Sequence, residues 1–442
     1  MKFAAELLII MLFIKKILHL NKFTDMKQHH FILLALFVSS ILGSCAGNRS
    51  GESAADGIKT ISLPDAMGNE KIVNLSEVAQ SISYIPLETS DSSLLGNIPR
   101  PILERGVFYV TITSGFTSIY KMYSIAGKYL GQLGRPGRAA GEYHSNIDMG
   151  SYAISVGPKS GNPMIFSTDK IIEYNKNGRF IKEVRSPIDP TYNLMLTRIK
   201  PLGDNYLSVY SDHNRRNSFF IFFNANGEMV GEIPEYLKRK QGGGTSGANT
   251  NEDLTATISL GNMINVVSPY LYDYKDNIRL IGNADTLYTF NPKMEKSTLF
   301  HFDYGKYKLP LNASWEERAQ SIFLIAGFTC EWESHLYLTY NFGKNEPNGY
   351  KLPHVRGLYN KNSGELTLLK RPDPELSGFK NDLDNGSPFW PVHISREGEM
   401  IMPLSAVKFI ELSENYDSPE MKRVAATLTE ESNPVIVVVK LK

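Results

Sequence analysis

The sequence predicts an all-β protein in which six four-stranded antiparallel sheets stand around an axis, the architecture of a β-propeller. The first observation is that the predicted strands come in groups of four. The second is that the last group lacks one strand, which the beginning of the chain can supply. The third is a hairpin in which an aromatic strand end meets a polar turn, usually closed by Gly, which tolerates positive φ. This hairpin recurs at 123–127, 174–178, 223–227, 290–294 and 359–364.

Length and charge narrow the class of protein. The chain has 442 residues, of which 42% are hydrophobic, so it can bury a large core. Lys and Arg number 47 against 46 Asp and Glu, which gives a formal net charge of +1. A nucleic-acid surface needs a concentrated basic face that neutralises phosphates. The balanced charge therefore predicts that nucleic acid is not a partner.

The N-terminal region resembles an export signal. From Met26 a basic segment precedes the apolar run 31–42, and small residues precede Cys45. We expect residues 1–45 to comprise an upstream segment and a lipoprotein signal peptide that begins at Met26, with lipidation at Cys45. An ordinary signal peptide with an incidental Cys is the alternative.

The segment after Cys45 is small and polar over residues 46–57, which predicts a flexible tether. No later run reaches the roughly 18 apolar residues that a spanning helix needs. The protein is therefore predicted to be anchored to a membrane by lipid without crossing it.

Residues 58–442 are predicted to form the propeller. The first three groups of strands are 98–104, 107–112, 118–123, 128–133; 152–156, 164–167, 171–175, 179–184; and 196–201, 206–210, 218–224, 228–233. The next two are 262–267, 278–281, 286–290, 297–302; and 322–329, 335–340, 355–359, 365–369. The sixth has three members, 389–394, 400–404 and 434–441.

A strand from the N-terminal segments 58–63, 71–75 or 82–87 would complete the sixth sheet and close the ring. Closure of this kind removes exposed sheet edges. Two β-sandwiches in tandem are the alternative architecture, and they explain the hairpin recurrence less well.

The long connections are predicted to share one face of the ring. If the strands of each blade are labelled a to d from the axis outward, the a–b and c–d turns lie on one face. The b–c loops and the d-to-a crossovers lie on the other, and helices with Ser314 and Ser418 as N-caps are expected there. Elaborated loops on a rigid scaffold usually carry binding, so this face is the predicted binding face. Its long segments are 134–146, 235–261, 305–320, 342–354, 371–388 and 414–433.

Several motifs carry a family resemblance. The segment 127–143, with its Gly-Gln-Leu-Gly-Arg-Pro-Gly run, is similar to the strand-and-loop signature of NHL-type propellers. The whole chain resembles the six-bladed β-propeller lipoproteins of Gram-negative bacteria. The likeness covers most of 58–442 and implies the fold and an envelope location, whereas it brings no general activity. It is carried by Cys45 and by short motifs at 84–88, 141–143, 285–288, 304–307, 381–386 and 389–391.

The first crossover carries one group of candidate ligand-binding residues. Arg135 and Arg138 could clamp a carboxylate or a sulfate bidentately. Alternatively, Arg138 pairs with Glu142 and only fixes the loop. Glu142 and Tyr143 complete this group.

The other candidates lie in the last third of the chain. Trp390 suits stacking on a sugar ring or filling the core, and His393 faces either the channel or the core. His354 is a further candidate, but the histidines after Cys45 show no compact metal-ligand spacing. Asp382 and Asp384 suggest calcium, although the EF-hand spacing and its distal Glu are missing. A turn in which Asp and Asn bond their own backbone is the alternative.

These observations favour a lipid-anchored, non-enzymatic protein, with no catalytic residue and no cofactor predicted. The expected partner is a glycan, a peptide or an envelope protein. The expected location is the outer membrane, facing the periplasm or the cell surface. A metal-dependent lyase or hydrolase, with zinc or calcium in the channel, is the alternative, and a structural subunit of an envelope assembly is a third hypothesis.

Overall fold

Six four-stranded antiparallel sheets form the blades of a β-propeller in the computed structural model, which confirms the predicted fold class. The predicted signal peptide, Cys45 and the tether lie outside the described residues. These are 58–96, 100–114, 117–143, 153–167, 170–187, 198–212, 217–235, 270–282, 285–310, 315–345, 354–373 and 376–442.

Two N-terminal strands precede the first complete blade, β1 (Lys59–Ser62) and β2 (Ala79–Pro86). Blade 1 comprises β3 (Arg100–Glu104), β4 (Val107–Ser114), β5 (Thr117–Ser124) and β6 (Tyr129–Gln132). A short parallel pair follows, β7 (Arg135–Pro136) and β8 (Glu142–Tyr143). Blade 2 comprises β9 (Ile154–Val156), β10 (Pro163–Phe166), β11 (Lys170–Tyr174) and β12 (Phe180–Arg185). Blade 3 comprises β13 (Arg198–Leu202), β14 (Asn205–Asp212), β15 (Asn217–Phe223) and β16 (Met229–Glu235).

The second half of the ring follows the same order. Blade 4 comprises β17 (Tyr270–Tyr274), β18 (Asn277–Gly282), β19 (Thr286–Phe290) and β20 (Lys296–Asp303). Helix α1 (Trp315–Gln320) leads to blade 5. Its innermost strand is interrupted and consists of β21 (Phe323–Leu324) and β22 (Cys330–Glu331), which both pair with β23 (His335–Asn341), and β24 (His354–Asn360) and β25 (Leu366–Leu369) complete the blade. Blade 6 contains β26 (His393–Ile394), β27 (Glu399–Leu404), α2 (Ala406–Asn415), α3 (Pro419–Ala425) and β28 (Val435–Leu441).

The ring is closed by the two ends of the folded chain, as predicted. Strand β2 pairs antiparallel with β28 and becomes the outermost strand of blade 6. Tyr84 lies opposite Val437 in this register. Val437 is buried, as are most residues of β28, because the strand packs between two covered faces.

The N-terminal segment also covers the outer edges of the two preceding blades. Strand β1 pairs in parallel with β20, with Ile61 opposite Phe302. A single bridge then joins Lys71 to Leu369 at the edge of blade 5. Only after these contacts does the chain enter blade 6. We call residues 58–86 the N-terminal strap.

The recurring hairpin forms the c–d turn of blades 1 to 5. Gly127, Gly178 and Gly227 have positive φ, and Met294 takes the same conformation in blade 4. At Gly127 a Cβ would collide with the carbonyl of Pro86 in β2. Glycine is therefore required there both for the turn and for the contact between blades 1 and 6.

Local differences from the predicted elements have physical reasons. The predicted strand 262–267 lies outside the described residues, and the innermost strand of blade 4 is β17. The predicted helix after Ser418 is confirmed, since its hydroxyl accepts a hydrogen bond from the Met421 amide. Helix α2 was not predicted, although Ser405 caps it and it buries an apolar stripe. Ser314, the other predicted cap, lies outside the described residues.

Candidate functional site in the central channel

A cavity of about 380 Å³ occupies the central channel. The innermost strands of all six blades line it, so the fold itself brings distant parts of the sequence together. The cavity reaches the a–b turns, where Lys275, Trp332 and Arg396 line it. It thus extends to the face that carries the short turns, and we call this face the tight-turn face.

Glu104 is the most unusual group in the channel wall. Its side chain is 9% exposed, and its Oε1 lies 3.5 Å from His393 Nε2. Its Oε2 is buried, lies 3.9 Å from Arg396 Nε and has no hydrogen-bond partner among the described residues. His393 Nε2 also lies 3.2 Å from the Leu103 carbonyl. The three side chains join blades 1 and 6 at the channel.

A second polar cluster joins blades 2, 3 and 4. Asp273 on β17 accepts a hydrogen bond from Lys200 Nζ at 2.9 Å and from Ser155 Oγ at 3.3 Å. Burial raises the pKa of Asp273, but the positive charge and hydrogen bond of Lys200 outweigh it, so the net shift is downward. Arg396 acts in the same direction. Asp273 is therefore a fixed anion in the wall.

A third cluster joins blade 4 to blade 5. Glu331 accepts from Arg279 Nε at 2.8 Å, from Lys361 Nζ at 3.0 Å and from Tyr272 Oη at 3.1 Å. The cations of Arg279 and Lys361 also lie over the Tyr274 ring, 4.7 and 4.6 Å from its centroid. Because each charge is partnered, this cluster is suited to hold the wall in shape.

The residues predicted in the first crossover hold that loop together. Arg135, not Arg138, pairs with Glu142, with Nε and Oε1 2.6 Å apart. Glu142 also accepts from the Ala139 amide at 2.9 Å, and this bond and that of Arg135 lower its pKa. Arg138 is exposed, whereas Tyr143 is fully buried against the Tyr120 ring.

The two predicted acidic residues of segment 381–386 bond to protein groups. Asp382 accepts from the amide and the hydroxyl of Ser76, at 2.9 and 2.5 Å. Asp384 accepts from Tyr84 Oη at 2.9 Å and from Ser418 Oγ at 2.5 Å. The segment thus fastens the strap and helix α3 to blade 6.

The remaining predicted residues are distributed over two blades. Trp390 is 3% exposed and stacks on Phe379 with ring centroids 5.3 Å apart. His354 begins β24, and its pKa is lowered by burial and by two neighbouring arginines. Of the predicted site residues that the structure describes, only His393 lines the channel cavity.

Two charged residues of the channel wall could have been predicted from their positions in the sequence. Glu104 and Lys200 lie in the first predicted strand of their groups, which forms the channel wall. A charged residue in an innermost strand is a candidate channel residue, because both faces of a blade are otherwise packed. Asp273 could not be identified in this way, because its strand, β17, is not among the predicted strands.

The described part of the chain contains neither a metal-ligand cluster nor a helix suited to cross a membrane. No group of three or more His, Cys, Asp or Glu side chains there is placed to hold a metal ion. None of the helices described has both the length and the apolar character for crossing a membrane.

Fold and site together define a six-bladed propeller with a polar, ligand-sized central channel. The family model described as Domain of unknown function (DUF4934) matches residues 58–440, and the chain belongs to this family. No curated protein matches the sequence significantly.

One solved structure shares the fold of this chain, and others align with lower TM-scores. A candidate exported protein from Bacteroides fragilis NCTC 9343 aligns with a TM-score of 0.59 and 18% identity, over 87% of this chain and 99% of that chain. The WD40 domain of Neurospora crassa Pan2 gives a TM-score of 0.36 and 10% identity, over 76% and 82%. BamB from Moraxella catarrhalis gives 0.31 and 12%, over 73% and 75%.

Proposed function

We propose that the protein is an exported, lipid-anchored propeller of the cell envelope that binds a polar ligand in its central channel. The single observation that carries the proposal is the cavity of about 380 Å³, walled by all six blades and lined by charges of both signs. Small-molecule sites are typically concave, about 300 to 1,000 Å³ in volume, with a few convergent polar groups.

The envelope location is supported by the export signal that precedes Cys45 and by the likeness to a candidate exported protein. Incorporation of a labelled fatty acid at Cys45 tests the anchor. Absence of label from Cys45 in cells that export the protein would remove the anchor from the proposal.

Binding is tested with glycan and peptide arrays probed by the full chain. Each hit is then measured again with Arg396→Ala at the channel mouth and with Arg423→Ala, a control at an exposed position of helix α3. A hydrogen bond to a charged group is worth about 1.5 to 3 kcal/mol, so Arg396→Ala should weaken a channel ligand about ten-fold or more. Equal affinity of both variants would place the ligand outside the channel, and silence on both arrays would contradict the proposal.

Catalysis is the second candidate, favoured by the proximity of His393 and Glu104 in the channel wall. Metal analysis of the purified protein separates it from simple binding. Stoichiometric zinc or calcium that is lost in His393→Ala would favour the metal-dependent lyase or hydrolase.

A further inference from the structure

A buried carboxylate oxygen in the channel wall lacks a hydrogen-bond donor among the described residues. Glu104 Oε2 is inaccessible to solvent in the protein alone, and Glu104 lines the cavity. Its nearest cation, Arg396 Nε, lies at 3.9 Å, which exceeds hydrogen-bond distance. A buried acceptor without a donor is unfavourable, so a ligand whose hydroxyl meets Oε2 when the Glu104 carboxylate turns towards the cavity gains affinity there.

The charges around this oxygen restrict what that donor can be. Arg396 lies beside Glu104 and opposes a cationic ligand, while Glu104 and Asp273 oppose an anionic one. A hydroxyl carries no charge, donates one hydrogen bond and accepts two. It can therefore donate to Glu104 and accept from Arg396 at the same time.

The rest of the cavity fits a ligand with several hydroxyls and an apolar carbon skeleton. Asp273 and Lys200 supply a second acceptor and donor from blades 3 and 4. Tyr270 and Trp332 supply ring surfaces in the same wall. Aromatic walls with a small number of placed polar groups are the usual composition of such pockets.

We propose that the channel binds a neutral saccharide and that Glu104 accepts a hydrogen bond from one of its hydroxyls. This inference rests on the proposed function and assigns it a ligand class. Glu104 is then the specificity-determining residue, because it rejects acidic sugars and requires a hydroxyl donor.

Isothermal titration of the full chain with matched sugars tests the ligand class. The probes are glucose, galactose and N-acetylglucosamine, their short oligosaccharides, and the charged analogues glucuronate and glucosamine. We expect at least one neutral sugar to bind about ten-fold or more tightly than its charged analogues. Tighter binding of a uronate, an amino sugar or a peptide would overturn the saccharide assignment while leaving channel binding intact.

Two variants test the role of Glu104. Glu104→Gln keeps the shape of the side chain and should weaken the neutral sugar about ten-fold, and Glu104→Ala should weaken it further. Glu365→Gln is the matched control, since it removes an exposed carboxylate from the c–d turn of blade 5. Thermal melting of each variant shows whether the fold is retained.

The remaining outcomes separate the two proposals. Neutral-sugar binding that Glu104→Gln leaves unchanged would overturn the role of Glu104. Failure of every sugar and peptide to bind the folded full chain would contradict the proposed function as well.

Discussion

Blades 4, 5 and 6 differ from blades 1, 2 and 3 because the N-terminal strap contributes to their outer edges. The N-terminal strap pairs with β20, bridges to β25 and forms the outermost strand of blade 6. In the described residues, β6, β12 and β16 are the last strands of their sheets. These open strands carry exposed apolar side chains, namely Leu130, Phe180, Ile181, Met229 and Val230.

The same hairpin therefore has two different outer environments. In the open half, the two residues that begin strand d in blades 2 and 3 remain exposed, as Phe180 does at 45% exposure, whereas Tyr129 of blade 1 is half-buried against Tyr123. In the covered half, Ile61 of the strap is 1% exposed and packs against the blade 4 and blade 5 core. The strap thus closes the ring and also covers sheet edges, and a covered edge cannot pair with a strand of another chain.

The two halves also differ in how far apart in sequence their contacts lie. Blades 1 to 3 are built from consecutive hairpins, whereas β2 meets β28 from the other end of the chain. Pairing two strands that are far apart in sequence costs more loop-closure entropy than pairing neighbours, and the contacts between the strands have to offset this cost. Stability of the closing half consequently depends on a few well-packed residues of the strap.

The largest loss of stability is expected for a substitution in strand β2, which closes the ring. Tyr84 is 4% exposed, meets the Phe409 ring at 5.4 Å and donates to Asp384. Tyr84→Ala should lower the free energy of unfolding by about 3 to 5 kcal/mol, the range for large aromatic truncations in a core. Phe180→Ala in the open half should change it by less than about 0.5 kcal/mol, as for an exposed site. Urea titration of both variants measures the difference, and similar losses would remove the distinction between the halves.

A smaller loss of stability is expected for a substitution in β1, the part of the strap that pairs with blade 4. Ile61→Ala should cost about 2 to 4 kcal/mol, because it empties a buried position between β20 and blade 5. Hydrogen exchange of the amides that pair β1 with β20 should accelerate as well. Leu130→Ala on open strand β6 is the matched control and should leave exchange and stability nearly unchanged. Faster exchange without a loss of global stability would show that β1 only adheres to the blade.

The smallest loss of stability is expected when an ion pair within blade 2, in the open half, is removed. Lys170 Nζ donates to Glu183 Oε2 at 2.8 Å and lowers the pKa of Glu183 below its ordinary 4.5, against a smaller effect of burial. The folded-state pKa is depressed, so the stabilisation is complete above about pH 4.5 and is lost as the pH falls through the folded value. At neutral pH, Glu183→Gln should cost about 1 to 2 kcal/mol, because the amide can still accept from Lys170 but the ammonium, at 5% exposure, loses its counter-charge.

The pH dependence of unfolding measures this contribution directly. Between about pH 5 and about pH 3, Glu183→Gln should flatten the decrease in unfolding free energy, and Lys170→Met should flatten it by a similar amount. Profiles parallel to that of the unchanged protein would assign the acid sensitivity to other carboxyls.

Much of the fold could be predicted because its signals are local. The alternation of a strand, its aromatic end and the Gly of the turn all lie within a few residues of one another. Residues 174–178 alone therefore predict the c–d turn of blade 2. The closure could be predicted by counting strands. Helix α2 is not among the predicted elements, since its signals, Ser405 and the buried Phe409, lie between the predicted strand 400–404 and the predicted long segment 414–433, in a stretch with no predicted element.

The candidate site could be predicted only in part. His393 is a candidate because its strand is predicted to be innermost, but the sequence leaves open whether its side chain faces the channel or the core. Four charged loop residues are predicted ligand contacts. Arg135 and Glu142 bond to each other within their loop, however, and Asp382 and Asp384 bond to the strap. A loop carboxylate looks the same in sequence whether it meets a ligand or a backbone amide.

The sequence by itself determined the repeated hairpin, the number of blades and the origin of the closing strand, since hydrophobic alternation and turn chemistry act along the chain. The tertiary structure decided which charges meet at the axis, because Glu104 and His393 become neighbours only when the ring closes. It also decided which blade edges are covered, as the path of the strap depends on packing between strands that no local pattern relates.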